Sequence, residues 1–193
     1  MCGIVGAVGL AGCSDTLLDS LKRLEYRGYD SSGIVIQQDG QFSMNRAVGK
    51  LVNLQAVMTE RPLTGTAGIG HTRWATHGGV SERNAHPHVA NEKVAIVHNG
   101  IIENHAALRR EMEVKGHVFS SETDSEVLAH LFKDAFDRGL APVDAGRDVI
   151  ARIEGTFGFA AMHADHPDMM IVARNASPLA VGLGDGASFV GSD

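Results

Sequence analysis

Cys2 follows the initiator methionine directly, in the segment MCGIVGAVG, and its position could carry nucleophilic chemistry. Because cysteine is a small residue, we expect Met1 to be removed, which would leave a free α-amine and a thiol on the same Cα. An α-amine with a pKa near ~7.7–8.0 is partly unprotonated at neutral pH and can act as a base. One residue would then supply both nucleophile and general base. The alternative is a small, half-buried residue that opens a strand.

Two charged residues indicate a small zwitterionic substrate. Arg73 carries a planar, permanently charged guanidinium, which suits a carboxylate held by two parallel hydrogen bonds. Asp124 offers a carboxylate for an ammonium group, although an acidic residue at this point could equally begin a helix. Combined with a nucleophilic thiol, these residues predict attack on the amide of an amino acid.

The same chemistry needs a group that stabilises a developing oxyanion. Asn99 pairs a side-chain amide donor with Gly100, whose backbone N–H can approach a ligand closely, so Asn99-Gly100 is a candidate oxyanion hole. Trp74 lies in a glycine-containing loop that could close over a ligand, or it could anchor the core beside a strand end. Thr76 and His77 in that loop could add hydrogen bonds to the ligand.

The chain has 10 histidines, which raises the alternative of a metal site. The spacing matches neither a helical histidine pair nor a zinc-knuckle pattern, and Pro87 fixes an extended shape between two of them. We therefore expect hydrogen-bonded loop histidines, and neither a metal nor an organic cofactor. The candidates for a metal site are His71, His77, His86, His88 and His98.

Composition narrows the class of protein. The chain has 193 residues, 44% of them hydrophobic, and a net charge of −6, which argues against a nucleic-acid or anionic-membrane partner. Its apolar runs are too short for a membrane span, and its N-terminus lacks the pattern of a signal peptide. The only cysteines are Cys2 and Cys13, so we expect no disulfide framework and a cytoplasmic location.

Patterning predicts the elements that must position these residues. Residues 3–9, 66–73, 93–98, 157–163, 169–174 and 179–183 are typical of strands, and the strands 34–37 and 42–47 flank the turn signal Asp39-Gly40. One helix is predicted to begin at a cap at Ser14 or Asp15 and to end near Gly28, and others are predicted at residues 51–58, 103–115, 121–138 and 144–153. Short hairpins that alternate with helices favour a mainly antiparallel sheet with helices outside it. The abrupt end after a strand-like run suggests a fragment.

Six segments together resemble a known family: CGIVG, LEYRGYDSSG, GHTRWATHG, NAHPH, VHNGIIEN and SETDSEV. The whole chain is similar to the N-terminal glutaminase domain of glucosamine-6-phosphate synthases, a branch of the class II glutamine amidotransferases and of the N-terminal nucleophile (Ntn) hydrolases. The combination of YRGYDS, TRWATHG and HNGIIEN favours this branch over the amidophosphoribosyltransferase branch, which stays open as the alternative. A catalytically silent binding domain is a third hypothesis, favoured if Met1 is retained.

The resemblance implies a fold and a set of roles. The fold would be α+β, a four-layer αββα sandwich of mainly antiparallel sheets. Cys2 would be the nucleophile, with Asn99 and Gly100 as the oxyanion hole. The glutamine carboxylate would bind Arg73, and its ammonium would bind Asp124. Trp74, Thr76 and His77 would lie in the closing loop.

The resemblance also implies the reaction and the domain organisation. The domain would hydrolyse L-glutamine to L-glutamate and ammonia, and the ammonia would serve the synthesis of glucosamine 6-phosphate from fructose 6-phosphate in the full-length enzyme. Residues 1–193 would be one glutaminase domain, truncated at its C-terminus. The sugar-isomerase domains that bind fructose 6-phosphate would be absent from this chain, and the full-length enzyme would be a homo-oligomer.

Overall fold

The computed structural model describes residues 2–75 and 77–193. The ten strands of the described residues form two antiparallel sheets. The first is six-stranded, in the order β3-β2-β4-β1-β10-β9, and the second is four-stranded, in the order β5-β6-β7-β8. The strand bounds in chain order are Gly3–Val8 (β1), Ser31–Gln38 (β2), Gln41–Val48 (β3), Ala67–Arg73 (β4), His88–Ala90 (β5), Val94–Ile102 (β6), Gly155–His163 (β7), Ile171–Asn175 (β8), Ala180–Leu183 (β9) and Ser188–Gly191 (β10).

Helices cover the outer face of each sheet. Helices α1 and α2 form one apolar cluster with the first sheet, and α3, α4 and α5 form another with the second sheet. The helix bounds are Cys13–Leu24 (α1), Leu51–Glu60 (α2), His105–Val114 (α3), Glu126–Asp137 (α4) and Pro142–Arg152 (α5). No helix in the described ranges is long and apolar enough to cross a bilayer.

A third apolar cluster lies between the sheets. It joins Ile4, Val35 and Ile69 of the first sheet to Val97 and Ala160 of the second, and all five side chains are buried. Strands β1, β2 and β6 are therefore apolar on both faces, since one face packs on helices and the other on the opposite sheet. The layers follow the order helix, sheet, sheet, helix, which confirms the predicted α+β αββα sandwich.

The predicted elements agree with the structure except at the end of β6, at the start of α4 and at β5. Strand β6 does not end at residue 98 but continues to Ile102, so Asn99 and Gly100 lie in the strand. The Asp39-Gly40 turn is present, with φ values of 52° and 76° that match a two-residue hairpin turn. The predicted start of the fourth helix at residue 121 is wrong, because α4 begins at Glu126. The Glu126 carboxylate accepts hydrogen bonds from the backbone N–H groups of Ser120 and Ser121, which keeps the residues before α4 in a loop. The short strand β5 was not predicted.

The candidate site residues lie near the ends of strands, where the two sheets meet. Strand β1 starts directly after Cys2, and β4 ends at Arg73. Strand β6 of the opposite sheet carries Asn99 and Gly100, and the loop before α4 carries Asp124. Because β1 pairs antiparallel with β4 and Gly3 lies opposite Thr72, Cys2 and Arg73 are neighbours although they are far apart in the chain.

Candidate active site

A cavity of about 340 Å³ lies at the junction of the two sheets. That volume is at the small end of the range for ligand pockets, which fits a molecule the size of an amino acid. Its lining brings together the predicted residues Cys2, Arg73, Trp74, His77, Asn99, Gly100 and Asp124. The remaining predicted residue, Thr76, lies outside the described residues.

The Cys2 thiol is fixed by the backbone of the residue after Arg73. The Trp74 N–H donates to Cys2 Sγ at 3.2 Å, and the Trp74 carbonyl oxygen lies 3.5 Å from the same sulfur. Burial raises the pKa of the thiol, while the Trp74 N–H opposes that shift. The thiol therefore needs a base to become nucleophilic at neutral pH, as a terminal α-amine on the same residue would provide.

Asn99 and Gly100 lie on β6 opposite Cys2. The Asn99 Nδ2 donates to the Cys2 carbonyl oxygen at 3.0 Å, so the amide nitrogen is the atom that faces the nucleophile. Gly100 has φ +129°, and a Cβ at this position would lie 2.0 Å from the Thr156 carbonyl oxygen. Only glycine fits there. The arrangement places an amide donor and a glycine backbone beside the thiol, as an oxyanion hole requires.

The Arg73 guanidinium is buried and bonded to its own loop. Its Nη2 donates to the carbonyl oxygens of His77 at 2.5 Å and Gly78 at 3.1 Å, and its Nη1 donates to that of Gly79 at 3.2 Å. The Asp30 carboxylate lies 3.8 Å away. The two carbonyls on Nη2 use both of its hydrogens, so a carboxylate held by two parallel hydrogen bonds, one of them from Nη2, would have to replace a loop carbonyl.

Asp124 is buried and does not cap α4 with its side chain. Its Oδ2 accepts a hydrogen bond from the Ile102 N–H at 2.8 Å, and its Oδ1 lies 4.0 Å from Nδ1 of His77. The alternative of a helix-starting residue is therefore wrong for the side chain. A buried carboxylate at a cavity wall offers the counter-charge for an ammonium group.

Trp74 and His77 lie in the loop after β4. The Trp74 side chain is 49% exposed and packs edge-on against Tyr29, with ring centroids 5.7 Å apart, so it does not anchor the core. His77 is partly exposed and packs against His105, with ring centroids 5.4 Å apart. Both residues line the cavity.

Four of the five histidines considered for a metal site, all but His77, are buried. The prediction of loop histidines is wrong for three of them, because His71 lies in β4, His88 in β5 and His98 in β6. Burial lowers the pKa of His71 and His88 to about 3 and that of His98 to about 4, so all three are neutral at physiological pH. Nδ1 of His98 lies 2.8 Å from Ser125 Oγ, and Nε2 of His88 lies 2.9 Å from Thr123 Oγ1. Within residues 2–75 and 77–193, no three His, Cys, Asp or Glu side chains are arranged to hold a metal ion.

Two further residues, Asp30 and Ser125, support the site although the sequence predicts no role for them. Asp30 accepts a hydrogen bond from the Ala75 N–H through Oδ2 and faces Arg73 through Oδ1, so it ties down the start of the loop. Ser125 contacts His98 and lines the cavity. Both lie in segments that carry the family resemblance, YRGYDSSG and SETDSEV. Their contacts are with residues distant in the chain, so only the tertiary structure shows them.

Comparison with known proteins agrees with this geometry. Residues 71–193 match the model of the glutamine amidotransferase domain family. The chain is 54% identical over its whole length to glutamine–fructose-6-phosphate aminotransferase [isomerizing] from Mesorhizobium japonicum, and equally to the enzyme of that name from Gluconobacter oxydans. It covers 32% of each, so it spans about a third of the length of these relatives.

Solved structures show the same architecture. A glutamine phosphoribosylpyrophosphate amidotransferase from B. subtilis superposes over 98% of this chain and 41% of its own, with a TM-score of 0.82 and 26% identity. An allosteric regulatory enzyme of purine biosynthesis gives a TM-score of 0.84 at 27% identity, with the same coverage of both chains. These neighbours have amidotransferase domains of the Ntn-hydrolase type. The family match, the fold and the site agree, and this chain belongs to the glutamine amidotransferase domain family.

Proposed function

We propose that this chain hydrolyses the side-chain amide of L-glutamine to L-glutamate and ammonia, with Cys2 as the nucleophile once Met1 is removed. The observation that carries the proposal is the joint placement of Cys2, Arg73, Asn99 and Asp124 around one cavity of about 340 Å³. A thiol, a cation for the carboxylate, an amide donor for the oxyanion and an anion for the ammonium are the groups that this substrate and reaction require.

The chemistry follows from those positions. The α-amine of Cys2 takes the thiol proton, and the sulfur attacks the amide carbon of glutamine. The Asn99 amide and the Gly100 N–H stabilise the resulting oxyanion, because preorganised donors in a buried site favour developing charge. The amine returns its proton to the departing nitrogen, ammonia leaves, and a γ-glutamyl thioester remains. Water then attacks the thioester, which releases glutamate and restores the thiol.

Arg73 and Asp124 account for selection of the substrate. A bidentate guanidinium–carboxylate contact fixes the α-carboxylate, and the buried Asp124 favours the α-ammonium. Trp74, Thr76 and His77 would complete the enclosure of bound glutamine. No metal or organic cofactor has a role in this scheme.

We further propose that a longer protein uses the ammonia to aminate fructose 6-phosphate, yielding glucosamine 6-phosphate. The support is the 54% identity to two glutamine–fructose-6-phosphate aminotransferases. The identity is only 26% to the glutamine phosphoribosylpyrophosphate amidotransferase and 27% to the regulatory enzyme of purine biosynthesis. Sugar-binding domains, a homo-oligomeric assembly and a cytoplasmic location belong to this proposal. With the full-length protein, fructose 6-phosphate should stimulate product formation and phosphoribosylpyrophosphate should not.

The decisive experiment labels the protein with an electrophilic glutamine analogue after intact mass has shown that Met1 is removed. The expected result is one added label on the peptide that begins at Cys2, and loss of ammonia release in Cys2→Ala. Cys13 is the internal control, because burial raises the pKa of its thiol to about 12 and leaves it unreactive. Label on another peptide, or unchanged ammonia release from Cys2→Ala, would refute the proposal.

Retention of Met1 is the condition under which a silent binding domain becomes the better hypothesis. The amine of Cys2 would then be part of a peptide bond and could not act as a base. A sample that retains Met1 should bind glutamate without releasing ammonia from glutamine. Turnover by such a sample would exclude the α-amine as the base.

A further inference from the structure

The hydrogen bonds of His71 determine which of its ring nitrogens carries hydrogen. Its Nε2 lies 2.9 Å from Oδ1 of Asn99 and 3.1 Å from the carbonyl oxygen of His98. Both oxygens can only accept hydrogen bonds, so Nε2 must be the donor. The other nitrogen, Nδ1, has no hydrogen-bond partner among the described residues. The ring is therefore the Nε2–H tautomer.

The surroundings of the ring hold it in place and neutral. His71 is fully buried in β4, and its ring stacks on that of His86 with centroids 4.1 Å apart. Burial lowers the pKa of His71 to about 3. A neutral ring can donate through one nitrogen only, so its donor capacity is directed at Asn99 and the adjacent carbonyl.

The Asn99 amide is thus oriented from both ends. Its oxygen accepts from His71, and its nitrogen donates to the Cys2 carbonyl oxygen at 3.0 Å. An amide nitrogen carries two hydrogens, so one remains for a substrate oxygen in the cavity that Asn99 lines. A rotated amide would turn its oxygen toward the developing negative charge and would destabilise it.

We propose that His71 is a positioning residue for the oxyanion hole, because its Nε2–H holds Asn99 with the amide nitrogen facing Cys2 and the substrate. This inference rests on the proposed glutaminase function. His71 is not among the residues that line the cavity, and its ring donates to the lining residue Asn99, so it acts on the site through Asn99.

The first test compares two substitutions of His71 in the processed protein. His71→Phe keeps a flat ring against His86 but removes the donor, and we expect kcat for ammonia release to fall about 10–100-fold with KM for glutamine nearly unchanged. His71→Gln can place an amide nitrogen near the position of the imidazole Nε2, so it should recover most of the lost kcat. Alkylation of Cys2 by iodoacetamide should proceed at the same rate in all three proteins.

The second test is a double-mutant cycle with Asn99→Ala. If His71 acts through Asn99, His71→Phe should slow the Asn99→Ala protein by less than about twofold. Equal slowing in both backgrounds, or full kcat in His71→Phe alone, would overturn the inference while leaving the glutaminase function intact. A wild-type protein that releases no ammonia would overturn the function itself and the positioning role with it.

A spectroscopic measurement covers the case in which His71→Phe does not fold. Long-range ¹H–¹⁵N spectra of the wild-type imidazoles distinguish the two neutral tautomers. The inference requires the Nε2–H form for His71 between pH 6 and pH 8. The Nδ1–H form would exclude donation to Asn99 and would overturn the inference.

Discussion

The two sides of the cavity differ in what holds their functional groups. On the side of β6 and the loop before α4, Asn99 and Asp124 are oriented by a buried imidazole and by the Ile102 N–H. On the side of β4, the Arg73 guanidinium is held by carbonyls of its own loop, at His77, Gly78 and Gly79. The first side is assembled without a ligand, whereas under the proposed function the second side would exchange partners when a carboxylate binds Arg73 by two parallel hydrogen bonds.

Gly100→Ala, on the assembled side, should have the largest effect of these substitutions, a loss of stability. The added Cβ would lie 2.0 Å from the Thr156 carbonyl oxygen at φ +129°, so strain and overlap should lower the free energy of unfolding by about 2–4 kcal/mol. Urea denaturation measures the loss. The matched control is Gly79→Ala in the loop, where a Cβ would have no atom within 4 Å and the change should stay within about 0.5 kcal/mol. Equal losses would contradict the contrast between the two sides.

Asp124→Asn should separate binding from chemistry on the assembled side. The amide oxygen of asparagine can still accept from the Ile102 N–H, but the counter-charge for the ammonium is lost. We expect KM for glutamine to rise about 10–100-fold, corresponding to ~1.5–3 kcal/mol for a hydrogen bond to a charged group, with kcat less affected. Initial rates against glutamine concentration measure this. Unaltered affinity with a slower chemical step would contradict the assigned role.

The buried histidines around the site should make the stability of the protein fall as the pH falls. Burial depresses the pKa of His71 and His88 to about 3 and that of His98 to about 4, below the ordinary 6.5. The unfolded chain therefore binds more protons below pH 6.5, and each histidine should cost up to ~1.4 kcal/mol of unfolding free energy per pH unit as pH falls. Urea midpoints between pH 6.5 and pH 5 measure the slope.

The control for this pH dependence is His88→Gln, which keeps a polar partner for Thr123 without a titrating ring. Its slope should be shallower than that of the wild type by about 1 kcal/mol per pH unit. The window ends at pH 5 because carboxylates with lowered pKa values, including Glu126, contribute below it. A flat profile between pH 6.5 and pH 5 would show that these histidines are not held neutral.

The smallest expected effect is on the side of β4, where we predict a change in the fluorescence emission of Trp74. This is the only tryptophan of the chain, and its side chain is 49% exposed, so exchange of the Arg73 partners should alter its surroundings. Titration with glutamate should produce a saturable blue shift as the loop closes over the ligand. Arg73→Gln should abolish the shift at the same glutamate concentrations. A shift that persists in Arg73→Gln would place the carboxylate elsewhere.

Much of the site could be predicted from sequence because its residues lie in short segments of distinctive composition. Asn99-Gly100 combines a side-chain amide with a glycine that no other residue can replace. Cys2 is a candidate nucleophile because it directly follows Met1. The start of α4 could not be predicted, because Ser121, Thr123 and Asp124 are all good helix-starting residues. The Glu126 carboxylate sets that boundary, because it accepts hydrogen bonds from the backbone N–H groups of Ser120 and Ser121.

The chemical groups, the α+β class and the family resemblance could all be predicted from the amino-acid sequence, since they depend on residue types and local spacing. How these groups are held depends on the tertiary fold. The pairing of β1 with β4 brings Cys2 to Trp74, and the packing of the two sheets brings His71 of one to Asn99 of the other. Such contacts join residues far apart in the chain, so no local pattern encodes them, and burial between the sheets gives them their direction and strength.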